Sequence, residues 1–421
     1  GQNLDEDFEW AAFTGSRMHA AGITCANCHD LHSGKRLIPG NMLCMQCHQT
    51  GAYKAPVIDP LQHTFHKPDS TGSDCTTCHM PLTTYMQRHP RHDHGFTSPD
   101  PLLTIELGIP NACNRCHTDK TPEWSLDFVN TWYGDKMNKL PRARTRAIAA
   151  ARRGDPAARD GLLAVLTSTN ETPYWKAVAA GLLEPWAGDE AVLPSLTNAA
   201  ASTNALVRAN ALRALAPLAE SGHPGALTQA TQSVRDPVRL VRYHASWALR
   251  GRLPEGDPAL AELRQTLAHN ADQPTGQVQL GLTALARGRP AEALQHYSRA
   301  VGWDARSAGL RHDFAVVLSM LGRNDEARQQ MQTAVQLEPG SAEYRFKLAL
   351  SAAGSGDAAA ALAGLEEAVK LDPAHARAWH NLGLARAQAG QLPGAIDALL
   401  KAEDLSPSDP DPCYARATLH L

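Results

Sequence analysis

GLTALARGRPAEALQHYSRA, residues 281–300, carries small residues at Gly281, Gly288, Ala293 and Ala300, and all four recur down the chain. Gly288 is followed by Gly322, Gly356 and Gly390 at intervals of 34. In step with them run Gly281, Ala315, Ala349 and Gly383, then Ala293, Ala327, Ala361 and Ala395, then Ala300, Ala334, Ala368 and Ala402. Pro339, Pro373 and Pro407 close three of the units. Small side chains let the two helices of a hairpin approach closely. Proline, lacking an N–H and clashing with the preceding turn, stops the second helix. A fixed period of this length means stacked units that cannot bury their apolar faces alone.

This is the tetratricopeptide pattern, expected over residues 273–421 as four units and a capping helix formed by DPCYARATLHL. Cys413 on that helix reads as a buried small hydrophobe. Upstream, WKAVAAGLL at 175, VRANALRAL at 207 and VRYHASWAL at 241 recur at 32 and 34 residues. With the preceding DPVRL they suit HEAT-like helix pairs over residues 140–272, and TRAIAAARR at 145 reads as a degenerate earlier copy. Solenoids of both kinds use concave surfaces mainly to hold other proteins.

Residues 1–139 follow a different logic. The frame Cys-x-x-Cys-His occurs four times, at Cys25–Cys28–His29, Cys44–Cys47–His48, Cys75–Cys78–His79 and Cys113–Cys116–His117. Eight of the nine cysteines lie inside these frames. Paired thiols alone suit disulfide exchange, half a zinc site or haem attachment, and an adjacent histidine decides for haem. The thiols form thioethers with the vinyl groups, and the imidazole becomes the proximal iron ligand. Zinc would need two frames to share one metal with idle histidines, and a thioredoxin-like motif would occur once, in a βαβ setting absent here. Four covalently attached c-type haems are the expectation.

Seven further histidines lie in the same segment, namely His19, His32, His63, His66, His89, His92 and His94. Four irons can therefore all be bis-His. Met18, Met42, Met45, Met80 and Met86 are the alternative distal ligands and would raise the potential. His89 and His92 read as surface residues. Gly and Pro are frequent and apolar periodicity is poor except near Trp124–Trp132, which suits a loop-rich domain built around porphyrins.

Residues 15–134 resemble the multihaem cytochromes c in which a tetrahaem segment precedes tetratricopeptide repeats. The resemblance rests on HAAGITCANCHDLHSG, LCMQCH, FHKPDSTGSDCTTCHMP, TYM, DHGF, IPNACNRCHTDKTPEW and WYG. It implies close-packed bis-His haems with His19, His32, His66 and His94 as distal ligands. Where such proteins usually show Arg-Arg-Asp-His, this chain has RHDH, with His89 nearby. The fold class expected for the whole is mostly α, a small tetrahaem domain over 1–139 followed by an α-solenoid.

The functional expectation is an exported electron carrier, periplasmic or extracellular with its signal peptide removed, passing electrons between redox protein partners. A subunit of a polymeric extracellular wire, with the solenoid supporting a homo-oligomer or filament, is one alternative. A reductase with one open-site haem is another, although the Cys-x-x-Cys-Lys frame of pentahaem nitrite reductases is missing. No run of eighteen apolar residues exists to span a membrane. The net charge of −3 gives no argument for nucleic-acid binding. Residues 1–139 hold 11 Lys and Arg against 15 Asp and Glu. PRARTRAIAAARR, which follows at 141, has five arginines and no acid. Arg142, Arg146 and Arg153 share one helix face and are expected to dock the first repeat helix on the haem segment, on a propionate of the haem at Cys113–His117.

Overall fold

A computed structural model of the chain describes residues 9–85, 88–137, 139–407 and 409–419. It divides into two compact units, one ending at Leu249 and one running from Arg250.

In the second unit, α16 (Pro258–His269) is followed by four helix hairpins. These are α17 (Pro274–Ala286) with α18 (Pro290–Trp303), α19 (Ala308–Met320) with α20 (Asn324–Leu337), α21 (Ala342–Gly354) with α22 (Ala358–Leu371), and α23 (Ala376–Gln388) with α24 (Leu392–Leu405). Each hairpin turns at a glycine of the 34-residue series, with φ of 71° at Gly288, 73° at Gly322, 80° at Gly356 and 76° at Gly390. That left-handed backbone costs glycine nothing and strains other residues, so the turn selects the residue. The in-step alanines at 293–395 and 300–402 are buried where the paired helices meet. Gly383 lies so close to α24 that a Cβ there would be 2.6 Å from Cγ of the fully buried Leu399. Ser307, Ser341 and His375, again 34 apart, cap the first helix of their hairpins by accepting from Leu310, Tyr344 and Ala378 N–H. The final helix α25 (Asp411–Thr418) packs on α24. Cys413 on it is exposed, which corrects the buried reading.

In the first unit, the repeat helices run from α9 (Lys139–Arg152) through α10 (Ala158–Thr167), α11 (Pro173–Leu182), α12 (Leu193–Ala200), α13 (Ala205–Glu220) and α14 (Pro224–Ser233) to α15 (Arg239–Ala248). α13 is central, burying Val207, Leu212, Leu215 and a row of alanines against its neighbours. Arg208 clamps Asp236 with two hydrogen bonds of 2.9 and 3.1 Å, and Arg242 then donates to Asp236 O.

Ahead of α9 the chain is short elements and loops. α1 (Glu9–Thr14) and α2 (Arg17–Ala20) precede a 3₁₀ turn at Cys25–Asn27. Next come α3 (Met42–His48), α4 (Pro60–Thr64), α5 (Cys75–His79), α6 (Pro101–Leu107), α7 (Cys113–Cys116) and α8 (Pro122–Tyr133). A two-stranded antiparallel ribbon, β1 (Leu82–Tyr85) with β2 (His89–His92), pairs Leu82 with His92 and Tyr85 with His89. The sequence reading expects only loop there. Pro90 demotes a strand reading, yet an edge strand tolerates proline. Buried apolar side chains in this stretch are few, chiefly Phe13, Ile23, Leu103 and Val129, whereas Trp10, Leu31, Met42, Val57 and Leu61 are exposed.

The arginine stripe does dock α9. Arg142 makes a two-bond pair with Asp100, just before α6, at 2.7 and 2.8 Å. Arg146 does the same with Glu106 near the end of α6, at 2.7 Å twice. The partners are carboxylates of the chain itself, and Arg153 takes no part in these pairs. Arg144, one helix face away, pairs with Glu171 at 2.8 Å and lies 4.3 Å from the centre of the Trp175 ring. Among the described residues no helix is long and apolar enough to cross a membrane.

Candidate functional site

Each Cys-x-x-Cys-His frame sits on a single turn of helix: the first on the Cys25–Asn27 turn, the others on α3, α5 and α7. Spacing of i, i+3 and i+4 puts both thiols and the imidazole on one side of that turn. The first and third turns start with local caps. Thr24 N–H donates to Asn27 Oδ1 at 2.8 Å, and Asp74 accepts from Thr76 N–H. All eight thiols are free of disulfides.

The histidines are oriented through Nδ1. His29 donates to Gly34 O at 2.9 Å, His48 to Pro56 O at 3.0 Å and His79 to Thr97 O at 3.1 Å. His94 likewise donates to His92 O at 2.8 Å and His92 to Met80 O at 2.7 Å. An imidazole that spends its N–H on a carbonyl keeps a lone pair on Nε2, the arrangement that prepares a metal ligand. Burial holds His79, His63 and His94 below the ordinary histidine pKa, His48 adding to the effect on His63. The shift favours the neutral form of all three.

Three frame histidines each lie beside a second imidazole. Ring centres are 6.3 Å apart for His29 and His94, 6.3 Å for His117 and His66, and 6.0 Å for His79 and His63. A metal–imidazole bond of about 2 Å on each side, with the ring centre roughly 1 Å behind its nitrogen, separates two axial rings by roughly 6 Å. The three separations match that spacing, with the ring planes 38°, 36° and 14° apart. Gly72 leaves room for one of these rings, since a Cβ there would be 2.2 Å from His66 Cδ2.

Of the expected distal set, His66 and His94 stand opposite frame histidines. His19 instead packs on Phe13, with ring centres 5.3 Å apart, and on Trp10, while His32 is exposed. The sequence reading favours His66 over His63, and the spacing in HTFH carries no signal that the two serve different frames. His89 is exposed on β2, and Met86 lies outside the described residues.

Consecutive frames are tied together. Gln46 Nε2 donates to Asn27 O at 3.3 Å, linking the first two. Asn41 donates to Ser73 O at 2.8 Å and accepts from Cys75 N–H at 2.9 Å, linking the second and third. Arg115 donates to Leu82 O and, at 3.2 Å, to Thr83 Oγ1, linking the fourth to the strand after the third. Thiols follow suit. A hydrogen bond from Cys44 lowers the Cys75 thiol, while burial, then Cys113 and Cys116 nearby, pushes Cys78 up to about 11. Beside the frames runs an aromatic row. His117 contacts Trp124, followed along α8 by Phe128 and Trp132, and Trp132 stacks on Phe65 at 4.8 Å and 4°.

Comparison with known proteins places the repeats. Residues 193–283 match a model of HEAT repeats, and residues 284–350 and 346–410 match models of tetratricopeptide repeats. Residues 193–410 are built of HEAT and tetratricopeptide repeats. No curated protein matches the chain. Among solved structures, MamA (residue 41 to the end) from Desulfovibrio magneticus RS-1 is 25% identical over 35% of this chain and 84% of its own, with a TM-score of 0.34. YrrB, a TPR protein with an unusual peptide-binding site, is 22% identical over 45% and 97%, also at 0.34. TTC0263, a thermophilic TPR protein of Thermus thermophilus, is 21% identical over 46% and 96%, at 0.33. The repeats make protein partners the expected ligands of the solenoid.

Proposed function

We propose that the chain is an exported tetrahaem c-type cytochrome that relays electrons between redox protein partners, the repeat solenoid holding a partner. The observation that carries this reading is the set of imidazole pairs with ring centres 6.0–6.3 Å apart, each including a frame histidine. A haem iron asks the protein for only two axial ligands, one more than each frame itself supplies.

Bound haem would supply the one-electron iron couple. In each frame the two cysteines would hold the ring edge covalently. His29, His48, His79 and His117 would be the proximal ligands, three of them aimed by a backbone carbonyl. His66 and His94 would serve as distal ligands alongside His117 and His29 respectively. Gln46, Asn41 and Arg115 keep successive frames in contact, as an electron relay in chain order requires. The thin apolar core and exposed large side chains of this stretch suit a domain completed by flat apolar cofactors. Covalent haem attachment of this kind supports a mature protein outside the cytoplasmic membrane.

The test is expression in a host with c-type maturation, followed by reduced-minus-oxidised and electron paramagnetic resonance spectra. Low-spin iron throughout, with no change on adding nitrite or hydroxylamine, is the expected result. High-spin iron that binds either molecule would favour the reductase reading instead.

A further inference from the structure

His63 and His66 are three residues apart, and on a continuous helix they would point to one side. They do not. α4 ends at Thr64, and Phe65 adopts left-handed backbone, φ 54° and ψ 18°. Uncommon for a residue with a side chain, this conformation persists only where neighbours enforce it. The neighbours are on α8. The Phe65 ring lies flat on Trp132 at 4.8 Å and edge-on to Tyr133 at 5.9 Å, and Tyr133 Oη donates to His63 O. Beyond the reversal, His66 turns to the fourth frame, its ring 6.3 Å from His117 and 6.1 Å from Trp132. His63 stays with the third frame, 6.0 Å from His79.

Resting on the haem reading above, we propose that this one loop supplies the distal ligands of two different frames, His63 to the third and His66 to the fourth. Phe65, Trp132 and Tyr133 act as positioning residues that hold the reversal. The arrangement assigns His63 a role and removes His19 and His32 from these two sites. It also makes the third and fourth sites share a single support, so a disturbance of α8 reaches both.

The experiment uses full-length holoprotein, with intact mass first establishing how many haems each variant carries. His63→Gly should retain four haems, turn one from low- to high-spin, and regain low spin when imidazole is added. His66→Gly should do the same at a different haem. Removing the third attachment site (Cys75→Ser with Cys78→Ser) should abolish the signal created by His63→Gly and leave that of His66→Gly. Removing the fourth (Cys113→Ser with Cys116→Ser) should do the reverse. Trp132→Ala should loosen both sites, seen as faster cyanide binding at two haems, while His19→Ala and His32→Ala leave the two sites low-spin. Four haems with an unchanged low-spin spectrum in His63→Gly would overturn the inference and leave the haem reading standing. Fewer than four haems in the unmodified protein would overturn the haem reading itself. If His63→Gly fails to accumulate, His63→Met provides the second variant. One haem should then show methionine ligation and a raised potential, and four unaltered potentials would refute the assignment.

Discussion

Replacing Arg142 by Gln should destabilise the first unit far more than replacing Arg146, although both arginines hold a carboxylate of the α6 region with two short bonds. The side chains of Arg142 and Asp100 are 15% and 13% exposed, against 47% and 32% for Arg146 and Glu106. Removing one partner of a buried pair strands the other charge away from water, at a cost of about 3–5 kcal/mol. With its slight exposure the Arg142 pair should fall near the lower limit, about 3 kcal/mol. The Arg146 pair is largely solvated and should contribute about 0–1 kcal/mol. In a unit of this size about 3 kcal/mol corresponds to a fall in Tm of roughly 6–12 °C. The assay is thermal unfolding of Arg142→Gln, Asp100→Asn and the double variant, with Arg146→Gln and Glu106→Gln as the parallel set, at low salt and in 1 M NaCl. The double Arg142→Gln/Asp100→Asn variant should recover much of the loss, since no charge is left stranded. Salt should erase the Arg146 effect and spare that of Arg142. Equal, small effects for both arginines would refute the claim that α9 is anchored through a desolvated pair.

Two further outcomes are expected. His244 on α15 has a pKa lowered to about 4 by burial, then by the nearby Arg213. Because the unfolded chain binds the proton more readily, the associated stability is complete above about pH 6.5 and declines by about 3 kcal/mol as the pH falls to the folded value. The urea midpoint should drop over that window in the unmodified protein and less steeply in His244→Gln. Gly383→Ala should cost about 1–3 kcal/mol through crowding against Leu399, whereas the same side chain is native at Ala349, which faces Gly364. Calorimetry that found Gly383→Ala neutral would show that α23 and α24 can separate.

The repeats are legible because their signals are local. A glycine every 34 residues marks a turn that requires left-handed backbone, and the alanines in step with it lie where helices touch. Ser307 and Ser341 carry the same period as caps without standing out, since serine is common in any loop. The haem frames are legible for the same reason as the repeats, with all three chemical groups inside five residues. Pairing of distal histidines is long-range, and there the sequence says less. His94 meets a frame 65 residues earlier in the chain and His66 one 51 residues later. His19 and His32 have no less claim by sequence than His63. What separates them is the reversal at Phe65, and nothing in the residue type announces left-handed backbone at a phenylalanine. The arginine stripe is visible as charge alone, which identifies the docking face but not its carboxylate partners.

The most direct measurement is the mass of the intact chain after expression with and without the c-type maturation machinery, digested to locate each adduct. Four haems per chain are predicted, one on each of the peptides bearing Cys25–His29, Cys44–His48, Cys75–His79 and Cys113–His117, and none without the machinery. Unmodified thiols in the matured protein, or zinc retained in place of haem, would contradict the account.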